Sequence, residues 1–284
     1  MIKIVKKIVH LESLLSDVRS VKKKISLVPT MGNLHKGHLS LVEKAKKISD
    51  YVVVTIFVNP TQFVEGEDFA NYPRTLDSDI NLLSELDVDL LFVPEVIELY
   101  PTNDNTPIIE ISNPELESIH CGKYRPGHFK GVATIVSKLF SIVQPNIALF
   151  GEKDYQQLLI IRSLVKNLLL PIEVVSAPTI REDSGLAMSS RNTYLSKSEF
   201  RQAPKLYKCI KETIKMIRNG DKDYEQLEKE ANIFLEQAGF KVEYYSICDS
   251  KTLAPAGDDD AIVLVAAWLG KTRLIDNARV HTYD

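Results

Sequence analysis

Residues 25–38 read ISLVPTMGNLHKGH, and residues 51–58 read YVVVTIFV. The first stretch opens with a short apolar run, 25–28, that reads as a buried strand stopped by Pro29. It then carries two glycines and two histidines into roughly 36–49, where Leu39, Val42, Ala45 and Ile48 recur at helical spacing. The second stretch is a continuous β-branched and aromatic run ended by Asn59-Pro60, as expected of a parallel strand covered on both faces. Strand, glycine-bearing turn, helix and strand together make a βαβ unit.

The alternation continues outward. Leu76, Ile80, Leu83 and Leu86 mark a helix, 89–93 a strand, 129–143 a helix, 147–150 a strand, 155–169 a helix and 172–176 a strand. This predicts a Rossmann-like, doubly wound parallel sheet, whose ligands bind beyond the carboxyl ends of the strands. Near residue 185 the pattern changes to two long helical segments, about 198–218 and 223–238, and then to strand-like stretches at 242–248, 261–268 and 272–276. The expected organisation is therefore a first domain over 1–184 and a smaller α+β domain over 185–284 that closes over the site, with Ser184-Gly185 at the boundary. Residues 64–73 (VEGEDFANYP) are acidic and aperiodic, and fit a mobile flap or an ordinary solvated loop equally.

The 284 residues are 44% hydrophobic and 26% charged, which is ordinary globular composition with ample material for a core. With 35 basic and 38 acidic residues the net charge is −3, which argues against a dedicated nucleic-acid binder. Cys121, Cys209 and Cys248 are odd in number and far apart, so neither a disulfide framework nor a zinc knuckle is expected. The opening MIKIVKKIVH lacks the apolar run and cleavage site of a secretory signal, and no stretch approaches the apolar length of a bilayer span. A cytoplasmic protein without a membrane partner is expected.

Four clusters follow predicted strands. In 29–38, His35 and His38 share a helix face at the helix N-terminus, where unpaired N–H groups and the dipole suit phosphate; imidazole N–H groups can stabilise developing charge there. A bare His-x-x-His is common, and only the strand–glycine–helix context sharpens it. In 59–63, Asn59 and Gln62 can donate to a carboxylate or hydroxyl, or merely cap a turn. In 150–157, Gly151 leaves room, Lys153 can meet a polyphosphate, Asp154 can accept from a ribose hydroxyl and Gln157 can face the cleft; a solvated helix cap reads the same letters. In 187–192, Ser189, Ser190 and Arg191 can grip phosphate oxygens, although such triplets also occur in linkers. Arg125, His128 and Lys130 form a basic turn that either steers anions or is simply solvated. Asp77 and Asp79 read as a first-turn acid pair more readily than as a metal site.

MGNLHKGH resembles the HxGH signature of the nucleotidyltransferase superfamily, and Met188 to Arg191 resembles its KMSKS loop without the lysines. The ordered set PTMGNLHKGH (29–38), VNPTQF (58–63), YPRT (72–75), RPGHFKGV (125–132), FGEKDYQQ (150–157) and MSSRN (188–192) closely resembles the pantothenate synthetase (pantoate–β-alanine ligase) family. The match is dense from 25 to 195 and thin afterwards. The resemblance implies ATP-dependent condensation of pantoate with β-alanine through a pantoyl-adenylate, releasing pyrophosphate and AMP, as a step toward coenzyme A. It implies that Met31, Gly32, Asn33, Leu34, His35, Lys36, Gly37 and His38 line the ATP site, with His35 and His38 on the phosphates and the second a proton donor; because adenylation needs no obligatory proton transfer, both are read here as electrostatic stabilisers. It further assigns Gly151, Glu152, Lys153 and Asp154 to the nucleotide, Ile180 to adenine through its backbone, and Met188, Ser189, Ser190 and Arg191 to closing over the triphosphate. His38, His35, Lys153 and Arg191 carry the catalysis in this reading. Gln62 and Gln157 are the pantoate-holding amides, with Gln62 also near β-alanine and Asn59 supporting the pocket. Mg²⁺ is implied, carried largely on ATP's own phosphates, with its protein ligands left open. A homodimer is implied by the resemblance alone. Other adenylyltransferases of the superfamily and a catalytically silent nucleotide-binding module compete; the NPTQF run, the paired glutamines and the intact His35, His38, Lys153 and Arg191 speak against them.

Overall fold

The computed structural model describes residues 2–101, 114–257 and 260–280. The chain divides into two compact units, one of residues 1–152 with 157–178, the other of 153–156 with 179–284.

The first unit runs β1 (Lys3–Val5), α1 (Ile8–Ser20), β2 (Ile25–Thr30), α2 (Lys36–Ile48), β3 (Tyr51–Ile56), α3 (Leu76–Glu85) and β4 (Leu90–Phe92). Three short helices follow, α4 (Val96–Leu99), α5 (Pro114–Glu117) and α6 (His120–Tyr124), then α7 (His128–Val143), β5 (Ile147–Gly151), α8 (Tyr155–Asn167) and β6 (Glu173–Ala177). The six strands form one parallel sheet in the order β1-β4-β3-β2-β5-β6. Helices cover both faces: Leu11 and Leu15 of α1, Phe140 of α7 and Leu158 of α8 pack with Leu27 and Val53 on one side. Leu41 and Val42 of α2 and Leu83 of α3 pack with Val28, Val52 and Val54 on the other. Alternate residues of β3 thus enter different cores, which is why its sequence is apolar without interruption.

The fold is the doubly wound sheet that the alternation predicts, with one element pair the sequence reading passed over. β1 and α1 lie in the opening residues, where Ile8, Leu11, Leu15 and Val18 are spaced for a helix on the sheet. β2 also runs through Pro29 to Thr30. Its pairing with β3 covers all six residues, whereas its pairing with β5 stops at Leu27–Ala148.

In the second unit α9 (Lys197–Gln202), α10 (Lys205–Arg218) and α11 (Tyr224–Gln237) precede an antiparallel sheet of β7 (Phe240–Asp249), β8 (Ala261–Leu269) and β9 (Thr272–Arg279). The predicted helix over 198–218 is two helices. Pro204 has no N–H to continue the ladder and stands at the N-cap of α10. Cys209 and Ile210 of α10 and Leu235 of α11 pack on Val263 and Val265 of β8. The division between units falls after Pro178, upstream of the expected Ser184-Gly185 boundary. The cause is local: Arg181 pairs with Ala187 across a bridge and its guanidinium grips Asp276 of β9, so 179–187 is fastened to the second unit.

Candidate active site

Leaving β2, the chain moves outward to β3 and β4 and then returns to β5 on the other side of β2. The β2/β5 boundary is therefore the topological switch point of the sheet, the place where such folds bind ligands. The two strands stop pairing at Leu27–Ala148, well before β5 ends at Gly151, so their carboxyl ends part there. Residues 31–38 leave β2 and residues 59–62 leave β3 at this same edge.

The 31–38 turn is held from inside. Gly32 and Asn33 take left-handed backbone (φ 83° and 50°), and a Cβ on Gly32 would stand 3.0 Å from Ile56 Cγ2 and 3.1 Å from Asp79 Oδ2. The Asp79 carboxylate, 1% exposed, accepts the N–H groups of Asn33 at 2.9 Å and Leu34 at 2.8 Å and the Thr75 hydroxyl at 3.2 Å. His35 is the N-cap of α2: its Nδ1 accepts from Gly37 N–H at 3.1 Å, while His38 Nδ1 accepts from His35 N–H at 3.3 Å. The two rings form a reciprocal capping box, centroids 4.1 Å apart. An Nδ1 that accepts carries no proton, so each neutral ring has its proton on Nε2. This corrects the expectation that backbone N–H groups at this helix start await phosphate: those of Asn33, Leu34, His35 and Gly37 are already engaged. Leu34 is buried in the core, whereas Lys36 is exposed and Met31 half-buried.

Asn59 is 1% exposed and uses its whole amide. Its Oδ1 accepts from Tyr100 Oη at 2.9 Å and Thr61 Oγ1 at 3.0 Å; its Nδ2 donates to Gly131 O at 3.1 Å and Gln62 Oε1 at 3.2 Å. Burial pushes the Tyr100 phenol up, so it stays a donor. Asn59 thus holds the Gln62 amide from behind, with both ends of its own amide occupied. With Oε1 taken, Gln62 turns its Nε2 to Met31 Sδ at 2.8 Å, and a thioether is a weak acceptor that an oxygen readily displaces. Gln157, half-buried on α8, makes no side-chain hydrogen bond to another described residue. The 64–73 segment is tied down, with Glu67 on Arg125, Phe63 against Phe69 and Tyr72, and Arg74 donating to the carbonyls of Phe69 and Tyr72. Of the three basic residues of the turn at 125–130, Arg125 is neutralised by Glu67 and His128 is buried, while Lys130 is half-buried.

Residues 153–156 are fastened within the second unit. Asn277 Nδ2 donates to Lys153 O at 2.9 Å, and the Tyr155 hydroxyl donates to Ser250 O at 2.8 Å and accepts from Arg279 at 2.9 Å. Asp276, 3% exposed, takes Arg181 in a two-point pair at 2.6 and 2.9 Å; burial pushes its carboxyl up, against the pull of that guanidinium. Ile180 and Met188 face each other across a turn, the Ile180 carbonyl accepting Met188 N–H at 2.9 Å. Ser189 caps the short turn 190–194 by accepting Arg191 N–H at 3.3 Å, and Ser190 is buried. Asp154 is exposed, and Arg191, Gly151 and Glu152 are half-buried. Within the first unit the Glu152 carboxylate accepts from the Ser176 hydroxyl at 2.7 Å. Sequence reading missed Asp276 and Asn277, which carry no local signal, and undervalued Asp79, whose partners lie 45 and 46 residues away.

A doubly wound sheet with a glycine–histidine turn at its switch point defines an α/β protein of the class that binds its ligands at the carboxyl ends of its strands. The family model for pantoate-beta-alanine ligase matches residues 3–279. A pantothenate synthetase of Hahella chejuensis is 52% identical over 275 residues, covering 95% of this chain and 96% of that one. The crystal structure of pantothenate synthetase from Thermus thermophilus superposes with a TM-score of 0.92 at 42% identity, over 99% of this chain and 100% of that one. That of a Francisella tularensis pantoate-beta-alanine ligase, complexed with beta-gamma ATP and beta-alanine, gives 0.82 at 37% identity, over 100% and 99%. The chain belongs to the pantoate–β-alanine ligase family, and is a ligase of pantothenate formation.

Proposed function

We propose that this ligase joins (R)-pantoate to β-alanine in two steps at the expense of MgATP. A pantoate carboxylate oxygen attacks the α-phosphorus, the bond to the bridging β-oxygen breaks, and pyrophosphate leaves. The neutral amine of β-alanine then attacks the acyl carbon of pantoyl-adenylate, AMP leaves, and one proton is released. A relative that binds an ATP-type nucleotide and β-alanine supports this reading.

The observation that carries it is the paired-imidazole cap. Because both Nδ1 atoms accept backbone N–H groups, both Nε2–H groups are fixed donors at the carboxyl end of β2. Fixed donors suit adenylation, which needs positioning and charge stabilisation more than a covalent side chain. In this proposal His35 and His38 stabilise the phosphates, as do Lys153 and Arg191 with Ser189 and Ser190. Met31, Gly32, Asn33, Leu34, Lys36 and Gly37 shape the nucleotide's edge, and Gly151 and Glu152 border it. Asp154 accepts from ribose, Ile180 meets adenine and Met188 covers it. Gln62, through Nε2–H, and Gln157 hold pantoate.

Among the described residues no group of three His, Cys, Asp or Glu side chains is arranged to hold a metal. Mg²⁺ enters as part of the substrate, on the triphosphate's own oxygens and waters. A homodimer and a cytoplasmic setting belong to the same proposal; the three cysteines are buried and are not joined in a disulfide.

Labelled pyrophosphate is expected to exchange into ATP with pantoate present and β-alanine absent. No exchange by folded protein with Mg²⁺ rejects the adenylate route. His38→Ala and Lys153→Ala should each slow exchange at least about tenfold, the usual minimum for losing one preorganised donor.

A further inference from the structure

Gln62 is held by its backbone as well as by its amide. Its carbonyl lies 2.7 Å from His128 Nδ1. His128 Nε2 lies 2.8 Å from Arg125 Nη1, and Arg125 is clasped by Glu67, Nε to Oε1 at 2.5 Å and Nη2 to Oε2 at 2.7 Å. The direction of each bond is forced. A guanidinium only donates, so His128 Nε2 must accept. The ring's proton is then on Nδ1, where it donates to the Gln62 carbonyl. Glu67 in turn neutralises the guanidinium and fixes its plane by two-point contact, a geometry lysine cannot supply.

From the other side, Gly131 of α7 packs on the same backbone. A Cβ there would collide with the Thr61 carbonyl and stand 2.7 Å from Gln62 Cα.

We infer that Glu67, Arg125 and His128 form a positioning relay that sets the Gln62 amide through its backbone without touching substrate. The relay runs from the 64–73 segment across the N-terminus of α7 to the short turn 60–62 that follows β3. It rests on the reading of Gln62 as a pantoate-holding amide and adds what holds that amide in place. Two of its members, Glu67 and His128, are residues to which the sequence gives no reason for a bond with each other or with Gln62.

The test uses the whole enzyme and separate KM values for pantoate and ATP. His128→Gln removes the atom at the Nδ1 position and is expected to raise the pantoate KM about tenfold, the scale of one buried hydrogen bond left unmade, with kcat and the ATP KM within about twofold. His128→Asn places an amide nitrogen where Nδ1 stood, and should return the pantoate KM to within about threefold of the parent. Glu67→Gln, the mildest change to the packing, should raise it about threefold. In ¹⁵N-histidine spectra His128 should be the Nδ1–H tautomer in the parent and leave that form in Arg125→Ala.

Equal impairment of the Asn and Gln variants, equal shifts in both KM values, or a parent His128 protonated on Nε2 overturns the relay. Gln62→Ala separates the two readings: an unchanged pantoate KM in that variant removes Gln62 from the pantoate site. A raised pantoate KM there with inert His128 variants removes only the relay.

Discussion

Asp79 decides the shape of the imidazole turn although it belongs to α3. Two left-handed residues in succession, Gly32 and Asn33, aim the N–H groups of Asn33 and Leu34 at one buried carboxylate. Asp79→Ala would leave two backbone N–H donors without their acceptor, so a loss of about 1–3 kcal/mol in urea unfolding is expected. Pyrophosphate exchange should fall by at least tenfold, because the caps on α2 lose their fixed origin. Stability lost without any loss of exchange would confine Asp79 to a structural part. The sequence exposes Asp79 only as an acid in the first turn of a helix, since the bond that matters spans 45 residues. His35 and His38 are legible because their partners, Gly37 N–H and His35 N–H, lie only two and three residues away in the chain.

Among elements, β9 shows where periodicity stops being informative. The reading of 272–276 ends one residue before Asn277, because Asp276, Asn277 and Arg279 break the apolar pattern. Those polar residues are the ones that hold the 153–156 segment, through Asn277 on the Lys153 carbonyl and Arg279 on the Tyr155 hydroxyl. Asn277→Ala should therefore slow pyrophosphate exchange about three- to tenfold with little change in the pantoate KM, one hydrogen bond to the segment that carries Lys153 being worth about that much. Steady-state exchange at saturating pantoate checks it, and an unaltered rate would separate Lys153 from β9. Strand boundaries fail here for a physical reason: apolar alternation records burial of side chains, whereas the end of β9 is fixed by polar contacts.

Across the molecule, the cysteines set an alkaline limit. Burial pushes the Cys209 thiol up to about 11 and the Cys248 thiol up to about 12, and carries the Tyr245 phenol well above its ordinary range. A raised value means that the folded protein keeps a proton which the unfolded chain gives up from about pH 9. The stabilisation is complete below that pH and is lost as pH rises through 11 to 12. Native protein at pH 8 should resist thiol-alkylating reagents at all three buried cysteines and react at three on unfolding. Cys248→Ala should flatten the fall of stability between pH 9 and 12. Rapid labelling of the native protein would show that these thiols open to solvent. No helix among the described residues is long and apolar enough to cross a membrane.

By itself the sequence determined the main alternation of strands and helices between residues 25 and 177, the parallel sheet, and the segments that carry imidazole, amide, lysine and serine–arginine groups. These follow from side-chain periodicity and from short-range turn chemistry, both of which act between residues a few positions apart. Only the tertiary structure decided which donors at the β2 turn are engaged, that Asn59 is buried behind Gln62, that Glu67 neutralises Arg125, and that 153–156 is fastened to β9. Each of those depends on a hydrogen bond between groups brought together by the packing of different elements. Chain proximity does not encode such a bond, because any of several carboxylates or amides of the same type is an equal candidate until the sheet and its helices are assembled.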